Sequence, residues 1–578
     1  MTRVMENSEF AKIFFEVAEL LELKGENVFK IRAYQKAARN VENLAESLEE
    51  LYKSGGLKAL KEVPAIGESI AEHIEEIIKT GTFKKYKELL KEFPKDFTKM
   101  IEVPGIGPKT AMLLLKKLKI DSVEKLEEAV KAGKLRDLPG MGAKKEENIL
   151  KGLELKKKVK GRFLLPESLV SAGAIVKALK KLKEVDQIVP AGSLRRWQET
   201  IGDLDILVTS KSPEKIMETF TTLPQVNQVL SKGPTKSSVV LKNGMQADVR
   251  VVGPKSFGAA LHYFTGSKQH NILIREMAVK KGLKISEYGV FKGKKQIGGK
   301  TEDEIFKSVG LPFIPPELRQ GTDEIEAAKK GELPKLIELS DIRGDLQMHT
   351  KWSDGNNTIE EMAEYAKKLG YEFIAITDHS KAVRVAGGMD EKEALKQIKE
   401  IDRINGKLKG IRILKGIEVD IMGDGSLDLP DSVLAEMEVV VAAVHSRFKM
   451  PKDEMTKRIV KAFDNKYVNI LSHPTGRVIG KRDPYEVDME KIIKAAADTG
   501  THLEINAYPE RLDLNDIHAR QAKEKGVRIS IGTDSHVDNQ MDNMKYGVAV
   551  ARRGWLEKND VINTFSLEKL QKELMIKR

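Results

Sequence analysis

Cysteine is absent from this 578-residue chain, and both aromatic residues (6%) and long apolar runs are scarce. Without cysteine there is no disulfide framework, thiolate zinc site or cysteine nucleophile, so any metal must bind nitrogen and oxygen ligands. The longest strongly apolar runs, such as Val439 to Val444, are far shorter than a membrane span, and the start carries no signal-peptide pattern. We therefore expect a cytoplasmic protein without membrane contact.

Charged residues make up 32% of the chain, and the net charge is +12. The basic excess lies in residues 1–340, which carry a net charge of +13, whereas residues 341–578 carry −1. A basic surface attracts polyanions, of which nucleic acid is the usual one. General Lys/Glu enrichment of a thermostable surface would explain the high charge but not this asymmetry. The charge distribution therefore predicts nucleic-acid binding by the first part of the chain.

Residues 8–160 have helical periodicity with Gly/Pro punctuation, and three similar turns recur: EVPAIGESIA (62–71), EVPGIGPKTA (102–111) and DLPGMGAKKEEN (137–148). We interpret them as helix-hairpin-helix units. Glycine lets the backbone approach a ligand, and the following helix start suits a phosphate, so sequence-independent DNA contact is predicted. An ordinary turn between packed helices is the alternative for any single copy. The candidate DNA contacts here are Gly105, Gly107, Lys109, Gly140 and Gly142.

Beyond the basic junction at 152–162, strands alternate with helices up to about residue 310. The Pro-containing, charged segment 311–334 is then typical of a linker. From residue 341 onward, seven short apolar strands alternate with helices, which favours a parallel, barrel-like α/β domain.

Two aspartates, Asp203 and Asp205, lie in the apolar run GDLDILV (202–208), and Asp248 lies in a second run, QADVRVV (246–252). Alternate residues of a strand face one side, so Asp203 and Asp205 share a face. Three dry, unpaired carboxylates on adjacent strands would be unstable, whereas two Mg²⁺ ions would pair them and suit an in-line phosphoryl transfer.

The turn AGSLRR (191–196) precedes these aspartates. Gly192 and Ser193 can donate hydrogen bonds to a triphosphate, and Arg196 can pair with it. Alone, GDLD could be a solvated turn, but the three features together predict a two-metal site for phosphoryl transfer.

Seven of the ten histidines lie after residue 340, and most of them directly follow a predicted strand together with carboxylates. In a β/α barrel such positions gather at the C-terminal face, where active sites form. A mixed imidazole and carboxylate set suits Zn²⁺, Mn²⁺ or Fe²⁺ and can hold two or three ions that act on a phosphate ester. A capping or core role is the alternative for any one histidine. The candidate ligands are His349, Asp354, His379, Glu418, His445, His473, Asp534 and His536.

On the aspartates, the GSLRR turn and the stretch FGAALHYFTGSKQHNILIR (257–275), residues 5–316 resemble the family X DNA polymerases. The resemblance implies that YFTGS lines the nucleotide sugar and that downstream Asn and Arg contact the nascent base pair and template. These roles fall on Tyr263, Phe264, Gly266, Asn271 and Arg275.

Repair members of this family use a lysine after the first hairpin to form a Schiff base with an abasic sugar, which needs an amine nucleophile. The matching position is His73, and histidine cannot form this imine, so the resemblance leaves lyase activity in doubt. A neighbouring lysine position of the family is Ser69 here. The family positions at Lys30, Tyr34, Lys84 and Lys85 do match, and they imply contacts on the 5′-phosphate side of a gap.

From residue 341 the chain resembles PHP (polymerase and histidinol phosphatase) domains, which in polymerases of this type are similar to Mn²⁺-dependent 3′–5′ exonucleases. 3′-Phosphatase and abasic endonuclease activity are further options. The opening D-x-H-x-H motif has Gln347 in place of its first histidine. An amide is a poorer ligand for such ions, so we expect one metal to be weakly or differently held.

The sequence thus predicts a multidomain, monomeric repair polymerase with an attached phosphoesterase. It would fill short gaps from dNTPs at gapped or nicked duplex DNA in base excision repair, using two Mg²⁺ in the palm and two or three Mn²⁺ or Zn²⁺ in the barrel. The expected parts are listed in chain order: a lyase-like helical domain (1–90), a helix-hairpin-helix subdomain (91–160), an α/β nucleotidyltransferase palm (161–255), a nucleotide-selecting subdomain (256–316), a linker (317–340) and a distorted (β/α)7 PHP barrel (341–578).

Two alternatives stay open. In one, only the barrel is active, on a small phosphate such as a histidinol-phosphate-like monoester. In the other, the chain is a DNA-end binding module without chemistry. The intact aspartates argue against the first, and the two complete ligand sets argue against the second.

Overall fold

The computed structural model describes residues 5, 7–42, 48–63, 66–94, 97–101, 103, 106–143, 145–147, 149–150, 153 and 161–577. The chain forms two compact units, Met1–Lys160 with Ile479–Asp483 and Gly161–Val478 with Pro484–Arg578. In the described residues, no helix combines the length and apolar character that a membrane crossing needs.

The first unit is helical, as its periodicity predicts. Its helices are α1 (Asn7–Lys24), α2 (Val28–Glu42), α3 (Leu48–Lys61, interrupted at Gly56), α4 (Glu68–Thr80), α5 (Lys84–Glu92), α6 (Pro108–Leu118) and α7 (Val123–Lys131). In α4, apolar residues Ile70, Ile74 and Ile77 recur on one face and are buried, which explains why this segment packs as a helix. The hairpin glycines Gly67 and Gly107 are the N-caps of α4 and α6.

The second unit begins with a five-stranded sheet of order β2-β4-β7-β6-β5, in which β4 and β7 are parallel and the other pairs antiparallel. The elements up to the end of this sheet are β1 (Phe163–Leu164), α8 (Leu165–Leu179), β2 (Val185–Pro190), α9 (Gly192–Arg195), β3 (Thr200–Ile201), β4 (Asp203–Ser210), α10 (Pro213–Thr221), β5 (Val226–Lys232), β6 (Lys236–Leu241) and β7 (Gln246–Val252). The strands β1 and β3 form a separate antiparallel pair.

A small α/β part follows, with an antiparallel sheet of order β10-β9-β8. Its elements are α11 (Phe257–Thr265), α12 (Lys268–Lys280), β8 (Lys284–Ser286), β9 (Gly289–Lys292), β10 (Lys295–Gly298) and α13 (Glu302–Val309).

The segment that the sequence predicts as a linker differs from an extended tether. Within it, Glu324–Lys330 forms helix α14, and Leu318, Ile325 and Ala328 are buried in one apolar cluster with Phe306 of α13. Ile325 and Ala328 are three residues apart and so share a helix face, which lets this charged segment pack on the preceding part.

Residues 344–532 contain a seven-stranded parallel sheet of order β11-β12-β13-β14-β15-β16-β17, and the predicted (β/α)7 barrel is confirmed. The strands are β11 (Gly344–Asp345), β12 (Phe373–Ile376), β13 (Arg412–Asp420), β14 (Val439–Ala443), β15 (Ile470–Leu471), β16 (His502–Asn506) and β17 (Ile529–Gly532). The helices are α15 (Ile359–Lys368), α16 (Glu391–Asn405), α17 (Asp431–Leu434), α18 (Lys452–Phe463), α19 (Met489–Thr499), α20 (Asp516–Glu524), α21 (Met544–Arg553) and α22 (Leu567–Leu574).

The barrel closes between its first and last strands by contacts outside the regular ladder. At the C-terminal end, Met348 pairs with Ser535 in a parallel bridge. Lower down, the buried side chain of Asn563 accepts a hydrogen bond from the Ile531 amide (2.7 Å) and donates to the carbonyls of Gly344 (2.9 Å) and Ile531 (2.8 Å). One asparagine thus satisfies backbone groups on both β11 and β17.

Candidate active sites

Parallel pairing of β4 with β7 places Asp205 directly opposite Asp248, and Asp203 lies two residues earlier on the same face of β4. The sequence predicts this adjacency. Asp203 is exposed and Asp248 is buried. Among the described residues, groups whose ligating atoms all lie within 4.8 Å of one another occur in the barrel and do not include these aspartates. The three carboxylates are therefore neighbours with a wider spacing.

Electrostatics distinguish the half-buried Asp205 from the buried Asp248. Burial, together with the charges of Asp203 and Asp248, raises the pKa of Asp205 to about 6. Burial acts in the same direction on Asp248, but hydrogen bonds from Lys236, Gln246 and Ser238 hold its pKa below the usual value. Lys236 Nζ lies 2.9 Å from Asp248 Oδ2. The all-oxygen donor set fits hard divalent cations, which prefer carboxylate ligands.

Glycine is required at position 192 because the backbone there is left-handed (φ +63°) and a Cβ would lie 2.7 Å from Asp205 Oδ2. Helix α9 begins at Gly192 and carries Ser193, so the GSLRR turn stands directly against the aspartates. The turn that is predicted to bind a triphosphate therefore lies next to Asp205, one of the predicted metal ligands.

The end of α11, which carries the predicted sugar contacts, faces Arg196. The Nη1 atom of Arg196 donates to the Thr265 carbonyl, and a Cβ on Gly266 would lie 3.2 Å from the same Nη1. The Arg196 Nε is buried and has no hydrogen-bond partner among the described residues. The end of α11 therefore lies against the GSLRR turn and leaves a donor unused.

The remaining predicted nucleotide contacts lie on α11 and α12. Asn271 Nδ2 donates to the Tyr263 carbonyl (2.7 Å), and Arg275 Nε donates to the Asn271 carbonyl (3.2 Å). The Phe264 ring lies 4.4 Å from the guanidinium of Arg250. Tyr263, Asn271 and Arg275 thus form one connected group.

In the first unit, the hairpin residues predicted to contact DNA are exposed. Gly107, Lys109, Gly140 and Gly142 are solvent-accessible, and a Cβ on any of the three glycines would meet nothing within 4 Å among the described residues. Gly105 lies outside the described residues.

Three of the four predicted 5′-phosphate contacts, Lys30, Tyr34 and Lys85, line a cavity of about 700 Å³ together with Lys61 and Ser69. Tyr34 is only 3% exposed, and Lys85 Nζ lies 5.4 Å from its ring centre. Lys84 is exposed at the start of α5, and Lys30 pairs with Glu26 (3.2 Å).

At the position where the family has its lyase lysine, His73 takes a packing role. Its Nδ1 lies 3.1 Å from Tyr34 Oη, and its ring stacks on Phe83 with centroids 4.2 Å apart. Burial and the charge of Lys85 lower the pKa of His73 to about 4, so the ring is neutral at pH 7.

In the barrel, all eight predicted ligands converge at the C-terminal ends of the strands. Six of them form two overlapping groups of potential metal ligands that share His379: His349, Asp354, His379 and His536, and then His379, Glu418 and His445. The other two, His473 and Asp534, lie next to members of these groups. The repeated position of these residues just after β-strands is the reason they meet.

Glu418 lies at the centre of this cluster. Its carboxylate oxygens lie 3.1 Å from His379 Nδ1, 3.2 Å from His473 Nε2, 3.5 Å from His349 Nε2 and 3.6 Å from His445 Nε2. Although burial acts to raise it, its pKa is held well below the usual value by these histidines.

The other three predicted ligands, Asp354, Asp534 and His536, complete the set. Asp534 Oδ1 lies 3.1 Å from His349 Nε2, and Asp354 Oδ1 lies 3.3 Å from His536 Nε2. The rings of His349 and His379 are stacked with centroids 4.4 Å apart.

Unused nitrogen atoms show that the cluster fits metal ions. Among the described residues, several buried ring nitrogens have no hydrogen-bond partner even though carboxylates lie nearby: both nitrogens of His349 and the Nδ1 atoms of His379, His445 and His473. Unpaired imidazole nitrogens beside carboxylates are the donor set of a transition-metal or zinc site.

Three residues near the cluster make contacts that sequence reasoning did not predict, and two of them, Asp420 and Arg511, were not singled out at all. Gln347, expected at a weakened metal position, instead donates from Nε2 to Glu418 Oε1 (3.2 Å) and accepts from Ser472 Oγ (2.9 Å). Asp420 lies 3.4 Å from His445 Nδ1, and its place two residues after Glu418 on β13 could have revealed it. Arg511 lies 3.6 Å from Asp534 Oδ2, and no motif marks it.

Comparison with known proteins agrees with this division. Family models match residues 5–83 (helix-hairpin-helix domain), 97–156 (SAM-like helix-hairpin-helix tandem), 260–320 (DNA polymerase beta thumb) and 345–524 (PHP domain). The chain is 40% identical over 573 residues to the DNA polymerase/3′-5′ exonuclease PolX of Bacillus subtilis (strain 168), a match that covers 98% of this chain and 99% of that protein.

Shorter matches are found to proteins called probable phosphatases. One from Thermoanaerobacter sp. (strain X514) is 33% identical over 218 residues, which is 36% of this chain and 84% of the relative. Another, from Acetivibrio thermocellus, is 33% identical over 189 residues, which is 31% of this chain and 73% of the relative.

Proposed function

The chain belongs to the PolX family of DNA polymerases with 3′–5′ exonuclease activity, and from this premise we propose that the two activities reside in two separate metal centres. The polymerase centre is the aspartate group on β4 and β7, and the exonuclease centre is the histidine–carboxylate cluster of the barrel. The observation that supports the proposal is that the three aspartates lie on β4 and β7, whereas the histidines and carboxylates gather on a different sheet, that of the barrel.

In the polymerase centre, Asp203, Asp205 and Asp248 would hold two Mg²⁺ ions, which when bound supply charge neutralisation for the attack on the α-phosphate. Asp248 helps to activate the primer 3′-hydroxyl. The GSLRR turn binds the triphosphate of the dNTP through Gly192, Ser193 and the Arg196 guanidinium.

The sugar and base of the dNTP are selected by α11 and α12. Tyr263, Phe264 and Gly266 line the sugar, while Asn271 and Arg275 contact the new base pair and the template. Support comes from the contacts that join these residues to one another and to the GSLRR turn.

In the exonuclease centre, the eight barrel ligands would hold two or three Mn²⁺ or Zn²⁺ ions, which when bound supply a neutral-pH nucleophile and a clamp for the phosphodiester. Glu418 lies within 3.6 Å of a ring nitrogen of each of four histidines, and Gln347 orients Glu418 through a hydrogen bond. The products are a shortened 3′ end and a mononucleotide.

The physiological substrate that we propose is a short gap in duplex DNA, filled during base excision repair. Exposed hairpin glycines bind the phosphodiester backbone without reading sequence, and the lysine-lined cavity of the first unit receives the 5′-phosphate. The neutral His73 offers no amine, so this unit acts as a DNA clamp. We also propose that the protein acts as a monomer in the cytoplasm.

The test is a pair of reciprocal variants on a one-nucleotide gap, with primer length followed in both directions in Mg²⁺ or Mn²⁺. Asp203→Ala is expected to abolish extension and to spare 3′ trimming, and His445→Ala is expected to do the reverse. Loss of both activities in either variant, with the fold intact, would contradict two independent centres.

A second candidate activity, removal of a 3′-phosphate by the same barrel centre, is favoured by the matches to probable phosphatases. Wild-type protein should then release inorganic phosphate from a 3′-phosphorylated primer, and His445→Ala should not.

A further inference from the structure

The loop that follows β16 carries a cation to the mouth of the barrel. Asn506 at the end of β16 pairs with Asp513, so the residues between them form a closed loop. Within it, the amides of Arg511 and Leu512 both donate to the Tyr508 carbonyl (2.8 and 3.1 Å). These bonds give the Arg511 backbone a defined position.

The Arg511 side chain lies beside the metal-ligand cluster but does not hydrogen-bond to it. Its Nε is 3.6 Å from Asp534 Oδ2, which is too long for a hydrogen bond, and its side chain is 21% exposed. Within the described part of the chain, its guanidinium makes no hydrogen bond, whereas Asp534 Oδ2 already accepts from Asn506 Nδ2 (3.1 Å). Planar N–H donors thus remain available beside the cluster.

We infer that Arg511 binds the scissile phosphate of the DNA 3′ end in the exonuclease centre, and that Arg477 and Glu199 position it. A guanidinium matches two oxygens of a phosphate at once, which a lysine cannot do. This inference rests on the proposed assignment of the exonuclease to the barrel.

The positioning path is the series of contacts from Glu199 through Arg477 to the Arg511 loop, and it begins outside the barrel at Glu199. Arg477, four residues after His473, donates from Nε to the Arg511 carbonyl (2.9 Å) and from Nη2 to the Leu512 carbonyl. The same Nη2 donates to Glu199 Oε1 (2.6 Å), which lies between the GSLRR turn and β4. The Arg477 side chain is 15% exposed and that of Glu199 23%, so this ion pair is largely shielded from solvent.

A carboxylate of the polymerase part therefore fixes a guanidinium that holds two consecutive carbonyls of the Arg511 loop. Removing the Glu199 carboxylate would take away the ion pair that fixes the Arg477 guanidinium, so the Arg511 loop would be held less firmly. Glu199 itself touches no residue of the metal cluster among the described contacts. The expected result is weaker binding of phosphate in the barrel caused by a change in the palm.

A second ion pair provides a matched control. Glu317 Oε1 accepts from Arg552 Nε on α21 (2.8 Å), with side chains 9% and 23% exposed. It also joins the polymerase part to the barrel, but it has no contact with the Arg511 loop among the described residues.

The experiment measures 3′ trimming by the full chain in Mn²⁺, with inorganic phosphate as a competitive inhibitor and bound metal determined by mass spectrometry. We expect Arg511→Ala to raise the phosphate Ki by 10-fold or more with unchanged metal content, and Arg511→Lys to restore part of the loss. Glu199→Gln should raise the Ki and the KM for DNA several-fold with little change in kcat, while Glu317→Gln should leave both at the wild-type value.

An unchanged phosphate Ki in Arg511→Ala would overturn the phosphate-binding role, and loss of metal in that variant would assign Arg511 to cluster assembly instead. Should Arg511→Ala fail to fold, Arg511→Gln, which keeps the length and loses the charge, decides the same question. Equal effects of Glu199→Gln and Glu317→Gln would overturn the positioning path. Full trimming by His445→Ala would instead refute the proposed function itself.

Discussion

The substitution Gly192→Ala tests whether the position of Asp205 limits polymerisation. A methyl group at residue 192 would lie 2.7 Å from Asp205 Oδ2, so the carboxylate must move by about 0.7 Å to reach an ordinary 3.4 Å contact. Misplacement on the scale of 1 Å costs about 100-fold in rate, equivalent to about 2.7 kcal/mol. We expect primer extension to fall by about this factor while 3′ trimming is unchanged.

The matched control is Gly244→Ala. Gly244 also has a left-handed backbone (φ +88°), but a Cβ there meets nothing within 4 Å among the described residues. Both substitutions therefore cost about 1–2 kcal/mol of backbone strain, and only Gly192→Ala displaces a carboxylate. Single-turnover extension of a gapped duplex measures the difference. Equal extension rates for the two variants would refute the reasoning.

Three further outcomes are expected. Asn563→Ala removes the side chain that joins β11 to β17 and leaves buried backbone groups unpaired, so urea denaturation should show a loss of about 3–5 kcal/mol, and a loss below 1 kcal/mol would contradict its closing role. Gln347→Ala should reduce 3′ trimming about 10-fold and spare extension, because its contact orients Glu418; unchanged trimming would argue against that. The pKa of His73 is lowered to about 4 from 6.5, so the unfolded state binds a proton first and the stability of the first unit should fall as pH drops from about 6.5 to 4. Hydrogen exchange in α4 should show this loss of stability in wild type but not in His73→Phe, and equal pH dependence in the two proteins would count against the assignment to His73.

Much of the fold follows from local sequence features. The barrel strands are short, uniformly apolar runs separated by helices, and a ligand-type residue after each strand must lie at one face of a barrel. The apolar runs around Asp203, Asp205 and Asp248 likewise predict that the three lie on neighbouring strands, and in the structure Asp205 and Asp248 are each the third residue of β4 and β7.

Contacts between segments that are distant in the chain could not be predicted, because no local pattern in the sequence marks them. The Glu199–Arg477 pair joins residues 278 apart in the chain, and neither residue belongs to a motif. The packing of the predicted linker was not predicted for a related reason. Its charges and prolines are typical of a tether, and the two buried residues Ile325 and Ala328 are too few to give a recognisable apolar pattern in the sequence.

The most direct test of two separate centres is the anomalous diffraction signal of crystals soaked in Mn²⁺ with DNA and a non-hydrolysable dNTP. We predict one group of peaks among the barrel histidines around Glu418 and a second, separate group between Asp203, Asp205 and Asp248. Peaks confined to the barrel, with the nucleotide bound and none beside the aspartates, would contradict the assignment of polymerisation to the palm.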